Sequence, residues 1–307
     1  MEIIRDLAGS RPHPFPVLAL GNFDGVHVGH QTILRMAIER ARKEHGTAFA
    51  VTFDPTPAKV LAPDRAPRLI LTPDDKLQVL GTTGIDCAAV INFTHELSQL
   101  SPREFVRDYL AGYLGARAVV VGHSVSFGHN RAGHATVMAD LGRELGFEVT
   151  IVGPVTAGGM EVSSTAVREV IAAGELRTAA KLLGRNHFLS GPVIHGRERG
   201  RKIGFPTANI RSRTECLPPD GVYATRLVLD DGAHASITNI GMRPTFAEPE
   251  RTIETHVFDF DRDLYDREVR LDLVERIRPE RKFESADALA AQIGTDLKRA
   301  REILASA

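Results

Sequence analysis

Residues 21–30 read Gly-Asn-Phe-Asp-Gly-Val-His-Val-Gly-His, and they join an apolar run to an amphipathic segment. Upstream, Val17–Leu20 is continuously apolar, which is typical of a strand buried on both faces of a parallel sheet. Downstream, apolar residues recur at helical spacing among charged ones, at Leu34, Ala37 and Ile38. The glycines therefore predict a strand-to-helix turn, where unpaired backbone N–H groups and the helix dipole favour a phosphate.

The composition excludes several classes of protein. A chain of 307 residues with a net charge of −1 has no broad basic surface for nucleic acid or a membrane. Cys87 and Cys216 fit no metal-ligand spacing, so we expect unpaired, buried thiols in a reducing compartment. No stretch reads as a secretory signal or as a membrane span of roughly 18 apolar residues. These features predict a soluble, cytoplasmic protein, but they do not indicate its oligomeric state.

The first part of the chain alternates between strand-like and helix-like segments. Apolar runs lie at 17–20, 48–53, 86–91, 117–122 and 148–153, with helix-length stretches between them. Thr72 and Ser101 are followed by proline and early acids, which predicts helix N-termini. We expect a doubly wound α/β domain with a parallel sheet over residues 1–185, with its ligand beyond the carboxyl ends of the strands.

The second part of the chain, residues 186–307, is rich in β-strand signals without intervening helices. Gly221–Leu229, Ala235–Ile240 and Thr252–Phe260 are bounded by glycine, proline or acidic turns. Such a pattern predicts an antiparallel barrel or sandwich, closed by an amphipathic helix from about Ser285. The domain boundary is expected near Gly184 to Gly191, and no internal repeat is present.

His27 and His30 suggest phosphate chemistry at the first turn. In nucleotidyl transfer, charge builds on the α-phosphate and on the departing pyrophosphate, and preorganised donors can stabilise it. An isolated histidine more often caps a helix or packs beneath a loop. A zinc site would need a third ligand, which is not found at a recognised spacing.

The opening motif resembles the signature of the HxGH nucleotidyltransferase superfamily, in the longer form found in the flavin adenylyltransferase module of bacterial bifunctional FAD synthetases. Ser163–Arg168 resembles that family's Ser-Ser-Thr-x-x-Arg motif. The resemblance implies that His27 and His30 act as catalytic donors when FMN attacks the α-phosphate. It also implies that ATP is bound by Gly21, Phe23, Asp24, Gly25, His27, His30, Ser163, Ser164, Thr165 and Arg168.

Three residues depart from the pattern of that module. Ser124 and Val125 stand where the family has an acidic residue or asparagine followed by phenylalanine, and Glu161 stands where many relatives have arginine. A carboxylate near a triphosphate repels it unless the carboxylate faces away or binds a metal. The sequence therefore leaves open a protein whose adenylyltransferase domain is weak or silent.

A second motif, Gly196–Asn209, combines glycines with basic residues and ends in Phe-Pro-Thr-Ala-Asn. It is not a Walker A loop, because no Gly-Lys-Ser/Thr follows, and its charge alone is typical of a solvated hairpin. Thr207 and Asn209 lie two residues apart on a predicted strand and so project oxygens to the same side. Such hard oxygen ligands suit Mg²⁺.

This second motif resembles the riboflavin kinase signature, and further matching stretches follow at 221–224, 239–246, 254–256 and 278–283. The resemblance implies an antiparallel β-barrel kinase domain whose ATP is bound by Gly196, Arg201, Gly204, Thr207 and Asn209, with Thr207 and Asn209 on the magnesium of MgATP. It also implies that flavin is bound by Glu254, Arg278 and Phe283. Asp266 replaces the usual glycine at a turn position where aspartate is tolerated.

Glu254 is implied to be the base that accepts the proton of the ribityl hydroxyl. In its strand, Glu254 alternates with Ile253 and Thr255, so it can face a ligand cavity. Together the resemblances imply an enzyme that phosphorylates riboflavin to FMN and then adenylylates FMN to FAD, using ATP and Mg²⁺. The alternatives are a riboflavin kinase with a weak or silent adenylyltransferase domain and a non-catalytic flavin-binding paralogue.

Overall fold

In a computed structural model, which describes residues 1–9, 11–195, 205–243 and 250–306, the chain divides into two units. Unit 1 comprises Met1–Ser164 and unit 2 comprises Thr165–Ala307. This division falls earlier in the chain than the boundary expected near Gly184 to Gly191. That boundary stays a prediction about where an independently folding kinase fragment begins.

The apolar runs of unit 1 form a parallel sheet, as the sequence predicts. Its six strands lie in the order β1-β4-β3-β2-β5-β8, and every neighbouring pair is parallel. The sheet strands are β1 (Glu2–Ile4), β2 (Pro16–Leu20), β3 (Thr47–Phe53), β4 (Cys87–Ile91), β5 (Ala118–Gly122) and β8 (Glu148–Val152). Two short hairpins complete the strands of this unit, β6 (Ser126–Phe127) with β7 (Gly133–His134) and β9 (Thr156–Ala157) with β10 (Met160–Glu161).

The helices of unit 1 begin where the sequence predicts caps. Thr72 Oγ1 accepts the Asp75 N–H at 3.1 Å, and Ser101 forms a capping box with Glu104, so both predicted N-termini are confirmed. The helices are α1 (Val28–Lys43), α2 (Pro57–Leu61), α3 (Pro73–Gly81), α4 (His95–Ser98), α5 (Pro102–Phe105), which continues as a π-helix over Val106–Tyr113, and α6 (Ala135–Leu145). Single 3₁₀ turns lie at Pro63–Arg65 and His129–Arg131.

Unit 2 contains a closed antiparallel barrel. Of the barrel and the sandwich that the sequence left open, the structure has the barrel. The barrel order is β11-β12-β15-β14-β13-β16. Its strands are β11 (His187–Ile194), β12 (Ala208–Ile210), β13 (Gly221–Leu229), β14 (Gly232–Arg243), β15 (Glu250–Val257) and β16 (Glu268–Pro279). The helices are α7 (Ser164–Ala173), α8 (Leu176–Leu183) and α9 (Ala286–Ala305), and the Ser285 hydroxyl caps α9.

The two faces of the barrel strands have separate apolar contacts. Leu189, Tyr223 and Leu271 belong to the interior core, in which Leu176 of α8 also packs. Val222 and Ile237 belong to a second cluster, with Ala300 and Ile303 of α9. Residues in alternate positions of one strand therefore serve either the interior or the surface beneath α9.

The structure bears on two expectations, namely the state of the two cysteines and the lack of a membrane-spanning segment. Cys87 and Cys216 are buried and not disulfide-bonded. Within the described ranges, no helix is both long enough and apolar enough to cross a membrane.

Candidate active sites

The turn after β2 has an unusual backbone. Phe23, Gly25 and Val26 have φ values of 51°, 82° and 41°, in the left-handed region that glycine adopts readily and other residues rarely do. The Phe23 and Val26 side chains are fully buried, which holds the turn in this conformation. Backbone strain of this kind persists where packing fixes it, often at functional sites. The turn therefore presents the start of α1 in a fixed geometry.

His27 and His30 lie face to face at the N-terminus of α1. Their ring centroids are 3.6 Å apart, and His27 Nδ1 accepts the backbone N–H of His30 at 3.2 Å. This contact makes His27 the helix cap and leaves the ring proton on Nε2. Burial, together with the nearby charges of His27 and Lys76, lowers the pKa of His30 well below its usual value. The His30 imidazole is therefore neutral at pH 7.

Asp24 connects separate segments of unit 1. Its Oδ1 accepts the backbone N–H of Ile70 at 2.9 Å and that of Leu71 at 3.4 Å, while its carbonyl accepts the Ser164 hydroxyl at 2.9 Å. The carboxylate is thus engaged with backbone amides. The observed role of Asp24 is to hold the turn and the Ser163–Ser164 segment in place.

A cleft of about 330 Å³ brings several predicted residues of unit 1 together. Its lining includes Gly21, His27, His30, Ser163 and Ser164, and the described residues that line it include no carboxylate. Such a cleft is suited to an anion. Phe23 and Gly25 instead belong to the turn beneath it, and Thr165 and Arg168 belong to unit 2, so their part in binding ATP stays a prediction.

The three residues that depart from the adenylyltransferase pattern, Ser124, Val125 and Glu161, lie in different surroundings. Ser124 and Val125 line the cleft. The exposed carboxylate of Glu161 lies 3.7 Å from His123 Nε2, and Glu161 is absent from the lining of the cleft. Glu161 is thus outside the described lining of the cleft, beside the lining residue His123.

A second cavity of unit 1, of about 470 Å³, adjoins the first. Its walls carry four aromatic rings, those of Phe53, Phe93, Phe105 and Phe127, a lining suited to a flat aromatic ligand. The two cavities share Asn22, Phe53, Ser126, Phe127 and Arg131. The sequence did not predict this cavity, because its phenylalanines are scattered along the chain and belong to no motif.

Lys76 is a further residue that the sequence analysis missed. Its side chain is buried, and its Nζ donates to Thr52 Oγ1 and to the Phe53 carbonyl, both at 3.0 Å. Burial lowers the pKa of Lys76, although the charges of Asp54 and Asp24 partly oppose that shift. Lys76 therefore fixes the carboxyl end of β3, from which Phe53 reaches both cavities.

In unit 2, the barrel register places Asn209, Glu254 and Asn239 in one row. Glu254 of β15 pairs with Asn209 of β12 on one side and with Asn239 of β14 on the other. Directly paired residues face the same side of a sheet, whereas the neighbouring Ile253 and Thr255 are buried. The three oxygen-bearing side chains thus form a polar row on the strand face opposite the interior core.

A cavity of about 470 Å³ lies over this face and extends to α9. It is lined by Thr207, Glu254, Arg278 and Phe283 from the predicted set, together with Asn239, His256, Leu289 and Asp296. Arg278 Nε donates to Asp296 Oδ2 at 2.9 Å, and its guanidinium lies 5.6 Å from the centre of the Phe283 ring. The sequence missed Asp296, because only the tertiary fold brings this α9 residue to Arg278.

Thr207 lines not only the cavity under α9 but also a separate cavity of about 440 Å³ at one end of the barrel. This cavity includes Val193, Phe260 and Tyr265, and His195 stacks on Tyr265 with ring centroids 3.9 Å apart. Asp266 has φ 61°, so the turn conformation expected there is confirmed. The predicted ATP ligands Gly196, Arg201 and Gly204 lie outside the described residues.

Comparison with known proteins gives a match for each unit. Residues 11–166 match the FAD synthetase family, and residues 183–304 match the riboflavin kinase family. The bifunctional riboflavin kinase/FMN adenylyltransferase of Escherichia coli K12 is 37% identical over 305 residues, covering 98% of this chain and 97% of the relative. The protein of the same name from Listeria monocytogenes is 40% identical over 294 residues, covering 94% and 92%.

A solved structure has the same fold over nearly the whole chain. A crystal structure from Streptococcus pneumoniae, described as a macrolide-efflux protein, aligns with a TM-score of 0.89 and 31% identity. The alignment covers 97% of this chain and 98% of that one.

Proposed function

The chain belongs to the family of bifunctional riboflavin kinase/FMN adenylyltransferases, and on that premise we propose how its two units divide the two reactions. The protein phosphorylates riboflavin to FMN with ATP, and it transfers the adenylyl group of ATP to FMN, which gives FAD and pyrophosphate. We assign phosphorylation to unit 2 and adenylyl transfer to unit 1. The observation that carries this assignment is that each unit has a pair of cavities lined by its own motif residues.

In unit 2, riboflavin would occupy the cavity beneath α9 and ATP the cavity at the end of the barrel. Thr207 lines both, so the γ-phosphate and the ribityl hydroxyl would meet beside it. Glu254 would accept the proton of that hydroxyl as its oxygen attacks the γ-phosphorus. Arg278, which Asp296 holds in place, and the ring of Phe283 would bind the flavin.

The donor set beside Glu254 fits Mg²⁺. Asn209 of β12 supplies an amide oxygen and Thr207, just before that strand, supplies a hydroxyl, while the carboxylate-bearing Glu254 lies in register with Asn209. We propose that Thr207 and Asn209 hold the Mg²⁺ of MgATP, which neutralises phosphate charge when it is bound. Gly196, Arg201 and Gly204, which lie outside the described residues, would bind the same ATP as the resemblance implies.

In unit 1, the cleft beside α1 would bind ATP and the aromatic cavity would bind the isoalloxazine ring of FMN. His27 Nε2 and the neutral His30 would donate to the oxygens of the α-phosphate as charge builds there. Ser163 and Ser164 line the same cleft and would contact the triphosphate, with Thr165 and Arg168 following on α7. That His27, His30, Ser163 and Ser164 all line one cleft supports an active adenylyltransferase over a silent one.

We also propose a cytoplasmic location and a kinase fragment that begins near residue 186. Cys87 and Cys216 are buried and not disulfide-bonded, which suits a reducing compartment. Every barrel strand lies after residue 186, so the barrel can close without the preceding helices.

The test is an assay of each reaction on the purified full chain. With riboflavin and MgATP we expect FMN and then FAD, and with FMN and MgATP we expect FAD and pyrophosphate. Glu254→Gln should lower phosphorylation by about 100-fold or more, because a general base is removed, and should leave FAD formation from FMN unchanged. Absence of FAD at high enzyme concentration would support the silent-domain alternative, and unchanged phosphorylation in Glu254→Gln would remove Glu254 from the mechanism.

A further inference from the structure

The two cavities of unit 1 meet beside the β6–β7 hairpin, and Arg131 in its turn lines both. Of the described residues that line either cavity, Arg131 alone carries a permanent positive charge. The same described residues include no carboxylate. The junction therefore has a fixed cation with no opposing charge on the cavity walls.

The hairpin holds Arg131 in an unusual conformation. Asn130 and Arg131 have φ values of 53° and 58°, so two consecutive non-glycine residues adopt the left-handed region. Arg131 Nε donates to Ser126 Oγ at 3.0 Å, and Ser126 pairs with His134 across the hairpin. One side of the guanidinium is thereby anchored, while its remaining N–H groups form no ion pair within the described part of the chain.

The proposed reaction brings two anions together at this junction. In adenylyl transfer, an oxygen of the FMN phosphate forms a bond to the α-phosphorus of ATP. The bond from that phosphorus to the oxygen bridging to the β-phosphate breaks, and pyrophosphate leaves with the electron pair. His30 is neutral, so it can donate a hydrogen bond but cannot balance the charge of the FMN phosphate.

Building on the proposed adenylyl transfer, we propose that Arg131 binds the phosphate of FMN and holds it toward the α-phosphate of ATP. The position fits, because the aromatic cavity would hold the flavin ring on one side of Arg131 and the nucleotide cleft lies on the other. A guanidinium suits this task, since it can form two parallel hydrogen bonds to one phosphate. Arg131 would thus set the specificity for FMN over unphosphorylated riboflavin in unit 1.

The experiment compares Arg131→Ala and Arg131→Lys with the wild-type full chain, using FMN and MgATP as substrates. For Arg131→Ala we expect the KM for FMN to rise by about 10- to 100-fold, while the KM for ATP changes little. Arg131→Lys should fall in between, because lysine keeps the charge but loses the paired contacts. Added methylguanidinium should restore part of the rate to Arg131→Ala.

The controls separate this proposal from its premise. Arg103→Ala removes an exposed arginine of α5 that pairs with Glu144, and it should leave both KM values unchanged. Because unit 2 is expected to fold and phosphorylate riboflavin on its own, circular dichroism and thermal unfolding of each full-chain variant report on whether unit 1 has folded. If the wild type forms FAD but Arg131→Ala keeps its KM for FMN, or if only the KM for ATP rises, the role of Arg131 is wrong. If the wild type forms no FAD from FMN, the proposed adenylyl transfer itself fails.

Discussion

At the scale of the single residue, His187 shows how one buried imidazole affects the stability of unit 2. Its Nε2 donates to the Cys216 carbonyl at 2.8 Å, while its buried Nδ1 has no partner among the described residues. Burial lowers the pKa of His187 to about 4, although the bond to Cys216 partly opposes the shift. The folded protein therefore keeps this ring neutral at pH values where an unfolded chain would protonate it.

We expect the folded state to lose stability as the pH falls from about 6.5 to about 4, because the unfolded chain takes up a proton there and the folded chain does not. The lowered pKa of His187 corresponds to about 3 kcal/mol of folding stability, which is fully present above about pH 6.5 and lost below about pH 4. His187→Gln should flatten this dependence while keeping a donor for Cys216. Urea unfolding of the full chain across this pH range measures the difference.

The matched control for this prediction is His129→Gln, which changes an exposed histidine in the same chain. It should leave the pH dependence as in the wild type. An equally steep loss in His187→Gln would show that other groups cause the acid sensitivity.

At the scale of the element, α8 is the helix to test, because it lies before the expected kinase boundary yet packs on the barrel. Leu176 is 2% exposed and belongs to the interior core of the barrel, and Arg177 forms an ion pair with Glu275 of β16. We expect fragment 186–307 to fold and phosphorylate riboflavin, but to be less stable than fragment 165–307. The loss should be at least about 2 kcal/mol, as for truncation of a buried leucine.

Denaturant midpoints of the two fragments measure this difference, and Leu176→Ala in fragment 165–307 shows how much of it belongs to one side chain. An insoluble or inactive 186–307 fragment beside an active 165–307 fragment would move the boundary to the start of α7.

Local signals explain which elements could be predicted from the sequence. The caps at Thr72 and Ser101 need only residues within one turn, and the apolar runs of the sheet need only a short window. The contacts of Lys76 and Asp296 are made with residues 24 and 18 positions away, and the cavity that Arg131 lines is built from several separate segments, so both arise only after folding. The motifs therefore indicated two sites, while the aromatic cavity and the contact between β16 and α9 required the structure.

At the scale of the whole molecule, the described residues that we propose for each reaction belong to one unit, apart from the α7 residues Thr165 and Arg168. Variants that each lack one reaction should therefore complement each other in solution. We expect an equimolar mixture of Glu254→Gln and His27→Asn to convert riboflavin to FAD, whereas either variant alone should not. The FMN released by the second variant supplies the first.

The rate of FAD formation in the mixture should rise with protein concentration and should be matched by adding FMN directly to Glu254→Gln. A mixture that makes FMN but no FAD, although Glu254→Gln uses added FMN, would show that FMN does not leave the unit that forms it. Asparagine is chosen at position 27 because it can still accept the cap hydrogen bond.

His27 combines a helix cap with a proposed catalytic donor in one ring, and this limits the substitutions that position 27 can accept. Nδ1 of the ring accepts the first-turn N–H of His30, so the helix cap fixes the tautomer that carries its proton on Nε2, the nitrogen that we propose as the donor to the α-phosphate. A second proton on the ring would occupy the acceptor nitrogen and release the first turn of α1. A substitution at position 27 therefore preserves the start of α1 only if the new side chain accepts the same backbone N–H, as asparagine can, whatever it does to the proposed donor.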